Sequence, residues 1–410
     1  MIATMEELAK KTKAILCLGC GKCTGYCPLA ELGDGLSPRR LVSQALEGMD
    51  ELNRELLDKC LTCGACEERC PEGVQFIEFI RGVRSKLPPP ERADCPHHQV
   101  LAEATKMMAE GKTPGDRLGW LTPGLEIAEK GEVFLFVGCA PLFDPLYADI
   151  GVRTVEIARS AVRLLNRLGI QPVVSGDEVC CGHDLLWGGD EESFMKLAER
   201  NAKTIADSGA KLVLTPCAEC ARTLSIDCPE RLPGFSVKVQ HIASFLAEKK
   251  ADLGLGNGAG EGDRGDLLVT FHDPCRLGRH MNEYDTPREL LDALPGVRRV
   301  EMEAHGRDAH CCGTSGFMHC NADSRLMQTK RMNEARETGA RALITACPKC
   351  MIHFNCARSE DRRRAKLDGT SPNPVTIVTE DLTVLLSSVL DVLDGDRTGK
   401  EALSMREGEG

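Results

Sequence analysis

Aromatic residues are scarce, at 4%, yet hydrophobic residues reach 42% of the 410-residue chain, enough to fill cores in about two or three domains. No apolar run approaches the roughly 20 residues needed to cross a bilayer. The longest such stretches, among them VFLFVG before Cys139, read as strands. Basic charge is also in deficit: 51 Lys and Arg against 62 Asp and Glu leave a net charge of −11, which excludes the cationic face a nucleic acid would want. The opening MIATMEELAKKTKAIL is amphipathic and mixed in charge and lacks a signal-peptide pattern. No Gly-rich fingerprint follows a strand, and GNGAG at 256–260 precedes no helical pattern, so no flavin or nicotinamide site is expected. The expected location is cytoplasmic, with docking on a membrane partner left open.

Cysteine is what the chain has in excess. There are 22, grouped at short spacings in a long chain without a signal, so metal binding is expected rather than disulfides. Residues 17–28 read CLGCGKCTGYCP and residues 60–71 read CLTCGACEERCP. Each is C-x2-C-x2-C-x3-C-P, the spacing by which bacterial-type ferredoxins hold [4Fe–4S] cubanes, the fourth cysteine reaching the other cube. The expected ligand sets are therefore Cys17, Cys20, Cys23 and Cys70 for one cubane, and Cys60, Cys63, Cys66 and Cys27 for the other. Gly19, Gly21 and Gly64 leave room for amides to approach the sulfides, and Pro28 and Pro71 turn the chain away. Zinc is the competing occupant. Between the motifs, Ser37 and Pro38 open a helix in which Leu41, Val42, Ala45, Leu46 and Met49 recur at helical spacing. A second helix, VQFIEFIRGVRSKL, ends at Pro88-Pro89-Pro90. This domain is expected to be mostly α-helical.

The remainder is duplicated. Cys139, Cys180-Cys181-Gly182, Cys217 and Cys220 are followed by Cys275, Cys311-Cys312-Gly313, Cys347 and Cys350, with steps of 41, 1, 36, 3 and then 36, 1, 35, 3. Strands run into the first cysteine (VFLFVGC, LLVTFHDPC) and into the last pair (KLVLTPCAEC, ALITACPKC), and VKVQH and VTIVT follow each CxxC. Helices 152–168, 190–208 and 321–338 end at Gly169, Gly209 and Gly339, with Asp190 and Asn321 as N-caps. This alternation predicts two α/β units with parallel sheets. Every ligand cysteine then sits at the rim where open sheets build sites, near helix ends that favour anions. Five thiolates with a vicinal pair exceed what a cubane needs and suit a cluster of opened shape. The fold class is multidomain α+β: an α-helical ferredoxin-like domain (1–90), a connector (91–130), a first CCG unit (131–250), a Gly-rich linker (251–265), a second CCG unit (266–395) and a tail (396–410).

The doubled C-x(n)-CCG-x(n)-C-x2-C pattern resembles the catalytic subunit of heterodisulfide reductase. The N-terminal pair, with ELGDGLSPRRLV and CPEGVQFIEFIR, resembles that enzyme's small iron–sulfur subunit. Together they resemble the D-type form, in which the C and B subunits are fused, over about residues 10–395, with eighteen of the 22 cysteines in place. The resemblance implies a disulfide oxidoreductase working within a complex. Each quintet (Cys139, Cys180, Cys181, Cys217 and Cys220; Cys275, Cys311, Cys312, Cys347 and Cys350) would hold a non-cubane [4Fe–4S] cluster. The two clusters would face each other across a disulfide of the coenzyme M–coenzyme B type. Two cubanes would feed them from a flavin-containing partner, similar to the reductase's A subunit, or a membrane cytochrome b. The first spacing, longer than the family's, fits a longer loop and removes no ligand. The alternative is an electron-transfer subunit of a flavin-dependent dehydrogenase, of the glycolate oxidase or anaerobic glycerol-3-phosphate dehydrogenase type.

Other residues carry weaker expectations. His183 is a candidate proton donor to a leaving thiolate, with a hydrogen bond to the cluster as its alternative; His272 is a lesser one. Arg276 and Arg279 fit either an anionic substrate tail or a surface ion pair. Trp187 and Phe317 fit the core or the pocket wall. Cys95, Cys228, Cys320 and Cys356 fall outside the repeats and are expected to be buried thiols; the CPHH run at 95–98 has no second half to complete a metal site.

Overall fold

The structure, a computed structural model, describes residues 4–33, 35–88, 100–256, 267–314, 321–369 and 377–393. Cys95 with His97 and His98, Phe317, Cys320, Pro89-Pro90 and most of the Gly-rich linker lie outside the described residues.

The N-terminal segment is helical, with no strand among its described residues 4–88. Thr4 and Glu7 close a capping box at the start of helix Met5–Lys11. Leu8 of that helix packs on Gly82 of helix Phe76–Arg84, where a Cβ would come within 2.6 Å of Leu8. Helix Pro38–Glu47 buries Leu41, Val42 and Ala45, whereas Leu46 is exposed. Ser37 stands at its N-cap but its hydroxyl does not cap the helix. It bonds the Thr24 hydroxyl at 2.7 Å instead, tying the helix to the first cysteine loop.

The duplicated halves are parallel α/β units. In the first, β1 (Val133–Leu135), β2 (Leu212–Thr215) and β3 (Lys238–His241) lie in the order β1-β2-β3. In the second, β4 (Leu267–His272), β5 (Val297–Val300), β6 (Ala342–Thr345) and β7 (Val378–Asp381) lie in the order β5-β4-β6-β7. The extra edge strand β5 has a one-residue counterpart: Val173 bridges Phe134 on the free edge of β1. Short aliphatic runs such as LVLT and ALIT are buried on both faces, as sheets covered by helices require. The expected helices form as Thr154–Arg167, Glu191–Ser208 and Ala322–Glu337, with Asp190 and Asn321 capping the last two through their side chains.

The two units pack reciprocally. Helix Leu382–Leu393, after the last strand of the second unit, lies on Thr154–Arg167 of the first. Helix Ile242–Glu248, after the last strand of the first, lies on Asp285–Ala293 of the second. This places the carboxyl ends of both sheets against one another. The N-terminal domain is tied to the pair through buried arginines: Arg84 donates to the carbonyls of Leu57 (2.6 Å), Cys60 (2.7 Å) and Trp187 (3.0 Å), and Arg81 pairs with Asp227 at 2.9 Å.

Candidate metal centres

All 20 cysteines among the described residues are thiols, with no disulfide. Eighteen of them gather as four groups, and Cys228 and Cys356 stand apart. In the N-terminal domain, Cys27 faces Cys60 and Cys63, and Cys66 faces all three. These four line one pocket, with Thr62, Gly64, Phe76 and Ile77 among its walls. Cys27 thus stands beside the cysteines of the second motif. Cys17 and Cys23 face one another, and the turn Glu67–Arg69, which leads into Cys70, packs on Lys22–Gly25, which carries Cys23. The two groups differ in depth. Cys27, Cys60, Cys63 and Cys66 are buried, whereas Cys17, Cys23 and Cys70 are half-buried and Cys20 is exposed.

The two quintets repeat the same contacts copy for copy. In the first, Cys139 meets Cys180, Cys180 meets Cys181, Cys181 meets Cys220, and Cys220 meets Cys217. In the second, Cys275 meets Cys311, Cys311 meets Cys312, Cys312 lies 3.3 Å from Cys350, and Cys350 meets Cys347. Cys217 and Cys347 each stand at a helix N-cap just past a strand. The glycines of both CCG triplets are left-handed, Gly182 at φ +80° and Gly313 at φ +89°, and their amides approach Cys180 and Cys311 Sγ at 3.4 and 3.5 Å. Gly138, at φ +60°, is obligatory in a second way: a Cβ there would come 2.8 Å from Cys220 Sγ.

Two contacts join the groups. The thiols of Cys217 and Cys347 meet, so the quintets share a boundary at their CxxC turns. The thiols of Cys63 and Cys311 meet, so the buried N-terminal group abuts the second quintet.

The donor set fits a thiophilic metal group. Burial pushes the Cys27 thiol up to about 12 and Cys66 well above the ordinary thiol value. Contact with Cys217 first, and burial as well, pushes Cys347 up to about 12. Left alone, such thiols keep their protons and crowd one another. A thiolate-binding cation that displaces those protons removes both costs at once. Thr62 N–H and Val74 N–H, at 3.4 Å from Cys60 and Cys70 Sγ, supply the backbone donors that thiolates need.

The surroundings of the quintets are charged and buried. Lys349, inside the second CxxC, places its ammonium 2.5 and 2.7 Å from the two oxygens of Asp184 and 2.7 Å from Glu219, which sits inside the first CxxC. Arg276 Nε donates to His183 Nε2 at 2.9 Å, leaving His183 Nδ1 to carry its proton toward Asp184 at 3.1 Å. His183 is fully buried, and burial lowers its pKa. The expected proton donor therefore faces an arginine and a carboxylate. Arg276 and Arg279 both reach the backbone of the N-terminal domain. Arg276 grips Thr62 through its carbonyl and, at 2.8 Å, its hydroxyl; Arg279 donates to the carbonyls of Cys63 and Ala309, both at 2.8 Å. Both clamp the second cysteine loop of the N-terminal domain onto the second unit. Trp187 is fully buried, with Arg276, Arg81 and Arg222 stacked 4.7, 5.3 and 5.6 Å from its ring centre. His272 is buried within 4.8 Å of Cys312 and Cys350. Cys228 is a core thiol pushed up to about 12 by burial, and Cys356 is half-buried.

Sequence reasoning missed the acid–arginine clamps that hold each first cysteine. Glu178 accepts the N–H groups of Gly138 (2.7 Å) and Val137 (3.2 Å) and pairs with Arg117 at 2.9 Å. Asp273 pairs with Arg288 at 2.6 and 2.9 Å and accepts Gly306 N–H at 2.9 Å. Proximity to a cysteine, as in HDPC or DEVCCG, was the only signal. Glu219 and Lys349 had a clearer one: opposite charges at the same position of two matching CxxC turns.

Known proteins resemble this chain along most of its length. The 4Fe-4S dicluster domain family matches residues 16–75, and the cysteine-rich CCG domain family matches residues 133–225 and 269–355. The D subunit of the dihydromethanophenazine:CoB–CoM heterodisulfide reductase of Methanosarcina barkeri is 30% identical over 410 residues, covering 91% of this chain and 93% of that one. The B subunit of the fumarate reductase (CoM/CoB) of Methanothermobacter marburgensis is 27% identical, covering 85% of this chain and 69% of that one. The EtfAB:quinone oxidoreductase of Syntrophomonas wolfei is 26% identical, covering 82% and 54%. With a dicluster domain, two CCG domains and near end-to-end similarity to those D subunits, the chain belongs to the heterodisulfide reductase D-type family of iron–sulfur proteins.

Proposed function

We propose that this chain reduces a disulfide in the space where its two quintets meet. The observation that carries this reading is the contact between Cys217 and Cys347, which brings ten complete thiol ligands to one boundary. Cys17, Cys20, Cys23 and Cys70 would hold one cubane and Cys60, Cys63, Cys66 and Cys27 the other. Each quintet would hold a non-cubane [4Fe–4S] cluster. When bound, the clusters supply electrons singly to the two sulfurs of the substrate. The route would run from the exposed first group to the buried second, through Cys63 and Cys311 to the second quintet, and across Cys347 and Cys217 to the first; the last two steps follow thiol contacts.

The chain's own groups shape that space. Lys349 holds a positive charge between the CxxC turns and, through Glu219 and Asp184, fixes their separation. The 20-residue helix Pro348–Leu367 points its N-terminus at Cys347, favouring negative charge there. His183, held by Arg276 and Asp184, is a positioning residue rather than a proton donor in this geometry. The substrate class is a small thiol-carrier disulfide, of the coenzyme M–coenzyme B type or a relative of it. The electron donor is a flavin-containing subunit or a membrane cytochrome b, reached from the cytoplasmic side. No helix among the described residues is long and apolar enough to cross a membrane.

The test is anaerobic purification, iron and sulfide analysis, and a viologen-coupled assay of disulfide reduction. About sixteen irons are expected from four four-iron clusters, with turnover of a small heterodisulfide. A second reading, a relay to a separate flavin enzyme, draws on the similarity to the EtfAB:quinone oxidoreductase. Full iron loading with no disulfide turnover by any candidate would select it.

A further inference from the structure

The four thiol groups are not equally reachable. The second N-terminal group and most of both quintets are buried, whereas the first group reaches the surface at Cys20. Around Cys20 the surface is unlike the rest of the molecule. Ile15, Leu16 and Leu18 are 53, 49 and 68% exposed, three of the eleven large exposed hydrophobics among the described residues, within four positions of one another. Residues 8–30 contain four lysines and no carboxylate, in a chain of net charge −11. Lys11, Lys13 and Lys22 are exposed, and so are Arg39 and Arg40. Arg39 Nη1 donates to Gly19 O at 2.7 Å, so its guanidinium lies directly on the cysteine loop.

An apolar centre with a charged rim is the anatomy of a protein interface. We propose that the face formed by Ile15, Leu16, Leu18 and Cys20, rimmed by Lys13, Lys22 and Arg39, docks an acidic electron-donor protein. This rests on the reading that Cys17, Cys20, Cys23 and Cys70 hold a cluster, and it adds the place of entry and the charge of the partner. The step is a one-electron transfer: the donor's reduced cofactor is oxidised by one electron and the chain is reduced by one, with no bond made or broken. Basic and apolar side chains together also suit an anionic lipid surface. A lipid supplies no electron, however, and would cover Cys20, the sole exposed cysteine of the eighteen.

The experiment uses the full iron-loaded chain and an acidic flavodoxin, as the hydroquinone, in stopped flow. For the unaltered chain, the second-order reduction rate should fall steeply as salt is raised. Lys13→Glu/Lys22→Glu should slow it at least about fivefold at low salt, with the gap closing at high salt. The methyl viologen radical cation should reduce the same variant faster, not more slowly, a sign that misfolding would not produce. Leu18→Ser should slow flavodoxin at every salt concentration. A rate indifferent to salt and to the charge reversal, in protein whose iron content and cluster EPR signals are intact, overturns the docking proposal alone. Iron analysis showing the first group empty overturns it together with the reading beneath it. Lysine-dependent binding to phosphatidylglycerol vesicles with an unaltered flavodoxin rate assigns the face to a membrane and overturns the proposal.

Discussion

Replacing Lys349 by Met should damage the junction of the two quintets out of proportion to its size. Its ammonium is 2.5–2.7 Å from three carboxylate oxygens, and its side chain is 6% exposed. Burial opposes the ionisation of Asp184, yet Lys349 and His183 outweigh it and hold the carboxyl down at about 2. Without Lys349, two carboxylates from the first unit face each other between sites that themselves carry negative charge. Breaking a buried pair by removing one partner costs about 3–5 kcal/mol, here a fall in melting temperature of about 4–6 °C for a body of this size. The assay is anaerobic thermal melting of the iron-loaded chain at matched scan rates, with iron retention measured in parallel. Adding Glu219→Gln to Lys349→Met removes one of the stranded carboxylates, so the double variant should be about 1–3 kcal/mol more stable than the sum of the single changes. A cost below about 1 kcal/mol for Lys349→Met, or strict additivity, would refute the view that this triad holds the junction together.

Three further outcomes follow from the same packing. Gly138→Ala forces a Cβ to within 2.8 Å of Cys220 Sγ in a left-handed backbone. It should cost about 1–2 kcal/mol in strain alone and empty the first quintet, seen as about four irons lost with the N-terminal EPR signals retained. Cys27→Ser should abolish the cubane assigned to Cys60, Cys63 and Cys66 rather than the one assigned to its own motif; loss of the surface cluster instead would contradict the crossing. Asp381 is pushed up to about 7 by burial while its Oδ1 accepts Thr383 N–H at 2.8 Å. Its folded pKa lies above the unfolded one, so its contribution to stability is fully present below about 4 and is lost as pH rises through 7. Asp381→Asn keeps the acceptor and should flatten the stability profile between pH 4 and 7, gaining at most about 4 kcal/mol at pH 8; an unchanged profile by anaerobic melting would count against it.

The grouping of the cysteines was legible because it is a sequence pattern. Cysteine spacing is dictated by cluster size and by tight Gly-rich turns, so Cys17 to Cys70 and both quintets could be read as sets. The alternation of LVLT-type strands with capped helices likewise announced parallel sheets, since covered strands must be apolar on both faces. The rest depends on long-range packing, which leaves no periodic trace. β5 carries two arginines in four residues and gives no strand signal of its own. Ser37 has the composition of a cap, but Thr24 lies within reach and takes its hydroxyl. Arg276 looked like a surface or substrate-binding residue until the second unit folded it against Thr62, 214 positions away. Glu178, Arg117, Asp273 and Arg288 are ordinary charges in sequence, and they become clamps only where two chain segments bury them together.

Whether ten thiols form one reaction space can be settled by EPR of the oxidised, iron-loaded chain titrated with a small thiol such as coenzyme M. A new thiol-dependent signal from an opened cluster is expected, lost in both Cys217→Ser and Cys347→Ser although these residues lie in different units. A signal that survives one of these changes intact, or no response to any candidate thiol, would contradict that expectation.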